Sequence, residues 1–213
     1  MIVPYVKRII ICATGFGVNE GDESDIFNRY YWWADHKYGN EPNTHVYYRT
    51  EDAPWKHIAR RLNKIATPDC IVIFIGHSWA CGGGYYKFER EWAKLGRRVT
   101  LVVLIDPVTK KFPYFIRAML TYRAFPVVNA DEVFAVRQLN KKPIGRRVVL
   151  KGLPNSTIRQ ITYGSEKALA RYKVAQGRDT RIDEAVDHNT IDGLYNVIRS
   201  VRPRVDDVKE RAA

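Results

Sequence analysis

The chain has 213 residues, of which 46% are hydrophobic and 12% aromatic. That is enough for one domain with a core of its own, whereas two domains would both be undersized. No run of eighteen apolar residues occurs, which excludes a membrane-spanning helix of ordinary length.

The formal net charge is +12, from 35 basic and 23 acidic residues, and it is unevenly placed. Residues 1–106 hold 14 basic and 12 acidic residues; residues 107–213 hold 21 and 11. Such a basic half suits an anionic polymer or surface as partner, or a solvated face that keeps the protein soluble.

In chain order, Val6 to Ala13 is a β-branched run of the kind buried on both faces of a sheet. The short apolar core, Ile9 to Ala13, is too brief for a signal peptide. Thr14-Gly15-Phe16-Gly17 breaks the run. Ile26, Phe27, Tyr30 and Trp33 then recur near helical spacing. Thr44 to Arg49 reads as a second strand. Pro54 opens a helix in which Trp55, Ile58, Ala59, Leu62 and Ile65 keep a period near 3.6. Cys70 to Ile75 is the most apolar stretch and predicts a central strand, with Pro68-Asp69 closing the segment before it. Cys81 to Leu95 starts Gly-rich and continues as a helix, with Gly96 as its cap. Val99 to Ile105 is a further buried strand, closed by Asp106-Pro107.

Three alternations of strand and helix predict an α/β fold. The expected form is a three-layer sandwich, a mainly parallel central sheet with helices on both faces, built as one domain over 1–213. Residues 108–145 read as a cap or lid, or as a long crossover. Val148–Leu150 and Thr157–Tyr163 predict strands, Ile191–Val201 a final helix, and 206–213 a frayed tail. Cys12, Cys70 and Cys81 are odd in number and lack metal-ligand spacing. Cys12 and Cys70 lie in or beside apolar runs and read as small buried hydrophobes. No metal or cofactor is expected, and a reducing, cytoplasmic setting fits best.

The chemistry concentrates at Gly76-His77-Ser78-Trp79-Ala80, directly after the predicted central strand. This approaches the pattern G-x-S-x-G, in which a serine sits on a strained strand-to-helix turn with its hydroxyl above the sheet. Positions two before and two after must be small, because strand and helix nearly touch there. Gly76 meets that demand, and Ala80 adds one methyl group where a second glycine is usual.

A serine nucleophile needs a base, and the base needs an orienting acid. His188 is the only histidine after Ser78. Asp106 ends the next strand and so leaves the same edge of the sheet; Asp131 is the reserve. Backbone N–H groups at Trp79 and Phe16 are the expected oxyanion donors. Gly15 and Gly17 permit close approach of a ligand, and Trp32 and Tyr85 are expected to line an acyl site.

With these pieces in order, the chain resembles the α/β-hydrolase superfamily, and within it the compact lipase-like and esterase-like members. The matching segments are IIICATGFG, IVIFIGHSWACGGG, VVLIDPV and VDHNTID, spread over residues 9–192. GFG stands where lipases commonly begin a His-Gly turn. The resemblance implies a Ser-His-Asp triad acting without metal on an ester of a small-molecule or lipid-like acyl group. A thioesterase or amidase would carry the same triad. A non-catalytic basic protein that grips nucleic acid or an anionic surface is the rival from another class. Oligomeric state is not legible.

Overall fold

The apolar runs of the sequence become the inner strands of one parallel sheet. The computed structural model describes residues 5–15, 29–109, 127–140, 146–147, 150–152, 154–171, 178–182 and 205–208. In chain order the elements are β1 (Val6–Thr14), α1 (Arg29–Tyr38), β2 (Thr44–Thr50), α2 (Trp55–Ile65) and β3 (Ala66–His77). A π-helical turn (Ala80–Gly84), α3 (Tyr85–Lys94) and β4 (Val99–Ile105) follow. Then come the two-residue strands β5 (Val108–Thr109) and β6 (Val127–Val128), the long β7 (Ala130–Gln138), and the short β8 (Arg146–Arg147) and β9 (Lys151–Gly152). β10 (Thr157–Tyr163), α4 (Glu166–Arg171) and β11 (Arg178–Ile182) complete the list, with a last helical turn over 205–208.

Among the described residues the main sheet has seven strands in the order β11-β10-β7-β4-β3-β1-β2. Every pairing in it is parallel. The expectation of a mainly parallel sheet therefore holds.

Because side chains alternate along a strand, each apolar run serves two cores. Ile9, Ile11, Val72, Phe74, Val102 and Leu104 face α2 and α3. There Trp55, Ile58 and Leu62 of α2 meet Phe88 and Trp92 of α3, all with almost no exposed surface. Phe74 sits at the centre of this layer, its ring 5.5 Å from Trp55, 5.0 Å from Tyr85 and 5.8 Å from Phe88. Ile10, Ile73, Ile75, Leu101 and Val103 face the other way, against Tyr30, Ala34 and Tyr38 of α1. Helices thus cover both faces of the sheet.

The structure departs from the sequence reading in several places. β3 begins at Ala66, ahead of Pro68, rather than at Cys70. Proline cannot donate to the ladder, and the register between β1 and β3 shifts there, from Val6↔Ala66 to Arg8↔Ile71. The Arg97 guanidinium takes up the carbonyls of Ala66, Thr67 and Pro68, so the irregular stretch stays satisfied. The Gly-rich start of the third helix is a π-helical turn, and the α-helix begins only at Tyr85. Gly96 does cap that helix: its φ is +73°, and Arg97 N–H donates back to Trp92 O at 3.1 Å. Thr157–Tyr163 is a strand as expected, whereas Leu150 is not in one. Of the segment 108–145, expected as a cap, lid or crossover, Ala130–Gln138 is instead an inner strand of the main sheet, and the rest lies mostly outside the described residues, as do the expected helix at 191–201 and most of the tail. Among the described residues no helix is long and apolar enough to cross a membrane.

Candidate active site

The strand order sets where a site can form. From β1 the chain moves outward through α1 to β2; from β3 it moves the opposite way through α3 to β4. β1 and β3 are neighbours at which the order reverses, and in open parallel sheets ligands bind in the crevice beyond the carboxyl ends of such a pair. The last register pair is Ala13↔Gly76, so the chain leaving β1 at Gly15 lies beside the chain leaving β3 at Ser78. A Cβ placed on Gly15 would stand 2.6 Å from Ser78 Cβ and 2.9 Å from its Oγ. Glycine is required there because the serine side chain already fills the space.

Ser78 itself has φ +54°. For an L-residue the left-handed region costs about 1–2 kcal/mol, so the surroundings must hold it. Its N–H donates to Ile105 O at 3.0 Å. Its carbonyl accepts from Cys81 N–H and Val108 N–H, each at 3.2 Å. The turn is therefore fastened to residues 105 and 108, on either side of Asp106. A Cβ on Gly76 would press on the Phe74 ring at 3.1 Å and on Cys81 Sγ at 3.3 Å. Ala80 has no exposed surface. Both small-residue positions of the motif are thus set by close packing. The π-helical turn follows at once, a form frequent at functional sites.

Asp106 also has a positive φ, +38°, and is 1% exposed. Its N–H extends the sheet by donating to Val136 O at 2.6 Å. Its carboxylate accepts twice from Gln138, from Nε2 at 2.9 Å and from the backbone N–H at 3.4 Å. Gln138 is fully buried at the end of β7. It fixes the carboxylate while leaving acceptor capacity for a further donor. Sequence reasoning missed Gln138; the one local signal is a polar pair, Arg137-Gln138, closing the apolar run Val133–Val136.

Arg137 is buried beside it and adds positive potential near Cys81. The Cys81 thiol is pushed well up, chiefly by burial, with Asp106 adding to the rise and Arg137 opposing it. It stays protonated and serves packing, donating to Ile105 O at 3.7 Å.

On the α1 side of the sheet a small void, with room for about one water molecule, lies at the same edge, lined by residues including Cys12, Thr14, Tyr30, Gly76 and His77. Thr14 and Tyr48 hydroxyls meet at 3.2 Å on this side. Gly15 lies at the serine as expected. Tyr85 is buried in the core layer of α2 and α3: its ring packs edge-on against Phe74, and its hydroxyl donates to Asn129 O at 3.4 Å. Trp32 is 43% exposed on α1 with its ring against Tyr31, and it is Tyr30, two residues before it, that lines the void. Asp131 stands at the start of β7, at the opposite edge, paired with Arg98. Trp79 follows the serine, half-buried. Phe16, Gly17 and His188 lie outside the described residues.

No family model matches the chain, and no curated protein matches it either. Among the described residues no cluster of His, Cys, Asp and Glu could hold a metal ion.

Proposed function

We propose that the protein is a serine hydrolase of the α/β-hydrolase type that cleaves a carboxylic ester through Ser78, His188 and Asp106. The observation that carries this reading is Ser78 at φ +54° between a buried strand and a helix, with Gly15 against its side chain at the switch point of the sheet. A left-handed backbone is uncommon at a serine, and such outliers cluster at functional sites.

The order of strands supports the rest of the triad. β11 is parallel to β10 and so ends, at Ile182, on the same edge as Ser78 and Asp106. β11 and β4 are three strand spacings apart, about 14 Å. Five residues lie between Ile182 and His188, and the six steps of chain span at most about 20 Å. His188 is within reach of Asp106.

In this mechanism Ser78 Oγ attacks the acyl carbon as the His188 imidazole takes its proton. Asp106, oriented by Gln138, holds the imidazole tautomer and stabilises its cation. Backbone N–H groups at Trp79 and Phe16 receive the negative charge that develops on the carbonyl oxygen. As the tetrahedral intermediate collapses, the ester C–O bond breaks, His188 gives its proton to the departing alcohol, and Ser78 is left acylated; His188 then takes a proton from water, which attacks the acyl carbon, and returns it to Ser78 Oγ as the acid leaves.

A fluorophosphonate probe tests the reading directly. Labelling is expected on Ser78, absent in Ser78→Ala and strongly reduced in His188→Ala. Labelling unchanged from the parent protein in both variants would overturn it. A panel of p-nitrophenyl esters, acyl-CoA thioesters and amides then separates esterase from thioesterase and amidase.

A further inference from the structure

We propose that the outer face of α2 and α3 is a docking surface for the phosphate backbone of double-stranded nucleic acid, held without regard to base sequence. The proposal does not depend on the hydrolase reading.

The face is built by helical periodicity. Trp55, Ile58, Ala59 and Leu62 turn inward on α2, which puts Lys56, Arg61 and Lys64 on the exposed side. On α3, Phe88, Glu91 and Trp92 are buried, which leaves Lys87 and Arg90 exposed. Both helices follow parallel strands and pack on one face of the sheet, so they form two ridges running the same way. Packed helices lie about 8–10 Å apart. Lys56 to Lys64 spans about 12 Å at the helical rise.

These cations are not neutralised locally. Glu91 is already occupied, by Arg60 at 2.7 Å and Lys94 at 3.5 Å. Burial raises the Glu89 carboxyl above its usual range while Asn129, Arg90 and Arg98 draw it back, so Arg90 does feel a nearby acid. Among the described residues Lys56, Arg61, Lys64, Lys87 and Arg90 form no ion pair. The neighbouring His45 on β2 registers the same field. Burial first, then Arg61 and Arg49, hold it below its usual range.

The chemistry of the face selects the occupant. Interfacial helices bury an apolar stripe in lipid, yet the stripe on α2 is already under the sheet. Among the described residues the exposed large hydrophobics are Tyr5 and Trp32, and neither lies on α2 or α3. On these two helices the exposed ring is a single imidazole, His57, and Tyr86 is only partly exposed, so there is no row of rings on which successive bases of a single strand could stack. What remains is two rows of Lys and Arg on parallel ridges, which suit the paired phosphate rows of a duplex and contact phosphates rather than read bases. This places the anion-binding surface on residues 55–94, in the half of the chain whose overall charge is nearly balanced, rather than in 107–213.

Fluorescence anisotropy with a 20-base-pair duplex between 50 and 200 mM KCl tests it. Five neutralised phosphates predict a slope of log K against log salt of about −4.5, an affinity loss of roughly 500-fold over that range. Changing Lys56, Arg61, Lys64, Lys87 and Arg90 together to Ala is expected to abolish binding with an unchanged circular dichroism spectrum. Should that variant fail to fold, Lys64→Gln alone is expected to flatten the slope by about 0.9. Lys141→Ala with Lys142→Ala is expected to change nothing. No binding by the parent protein at 50 mM salt would overturn the proposal. So would undiminished binding by the α2 and α3 variants, or retention on phosphatidylserine-phosphatidylcholine vesicles in preference to the duplex.

Discussion

Gly15 and Ser78 touch across the gap between β1 and β3, with 2.6 Å between the serine Cβ and the place a Cβ on the glycine would take. Two chain segments about sixty residues apart in sequence are thus matched to one another at the point where the sheet order reverses. The glycine is the wall against which the serine side chain is set.

Gly15→Ala should therefore displace the nucleophile. Overpacking of this kind costs about 1–3 kcal/mol, and a misplacement near 1 Å costs about 100-fold in rate. Gly83→Ala is the matched control, because a Cβ there meets nothing within 4 Å. Ester hydrolysis and thermal melts of the two variants are expected to differ sharply, Gly83→Ala keeping both rate and stability. Equal behaviour would show that Gly15 does not position Ser78.

The positive φ of Ser78 gives a second, independent outcome. Ser78→Ala and Ser78→Gly both remove the hydroxyl, so both should lose labelling and activity. They should not be equally stable. Alanine still bears the left-handed penalty and glycine does not, a difference of about 1 kcal/mol in favour of Ser78→Gly. Urea denaturation of the two proteins measures it; no advantage for glycine would mean that the turn is not strained.

What the sequence discloses about this site follows from how local each constraint is. Ser78, Gly76 and Ala80 are legible because the crowding of strand on helix acts within five residues. Asp106 is legible because an acid directly after an apolar run marks a strand end. Gln138 is not, since its partner Asp106 lies on another strand and nothing near it in sequence records the contact. Trp32 and Tyr85 mislead for a related reason: rings at helical spacing do not say which face meets the site, and Tyr85 belongs to the cluster around Phe74. The early start of β3 is hidden because Pro68 argues against a strand, and the answering contact comes from Arg97, about thirty residues on.

The three cysteines carry a pH-dependent expectation. All are free thiols. Burial pushes Cys12 and Cys81 far up, and Cys70, half-buried, up to about 11. Thiolate is the reactive form, so iodoacetamide at pH 8 should modify none of them in the native protein at the rate of an exposed thiol, and all of them in denaturant. Cys70 labelling should climb as pH approaches 11. Folded thiols that hold their protons more tightly than unfolded ones favour the native state fully below the ordinary thiol pKa of 9.0, and that contribution is lost as pH rises above it. Rapid native labelling of Cys81 at pH 8 would contradict its packing against Ile105.

The acid of the proposed triad is tested by comparing the two edges of the sheet. Asp106 is buried beside the serine turn, whereas Asp131 is 52% exposed and paired with Arg98 at the far end of β7. Asp106→Asn is expected to lower kcat by about 10,000-fold, the loss that accompanies a wrongly held histidine tautomer. Asp131→Asn should leave kcat within twofold. Gln138→Leu separates orientation from charge. It removes the side-chain donor from a buried carboxylate, at about 1–3 kcal/mol of stability, yet keeps the carboxylate itself. An intermediate fall in kcat with unchanged KM is expected, and Gln138→Glu should be worse, because it sets two acids against each other in a buried site. If Asp131→Asn were the variant that lost activity, the base would have to be oriented from the opposite edge of the sheet, and the assignment of Asp106 would fail.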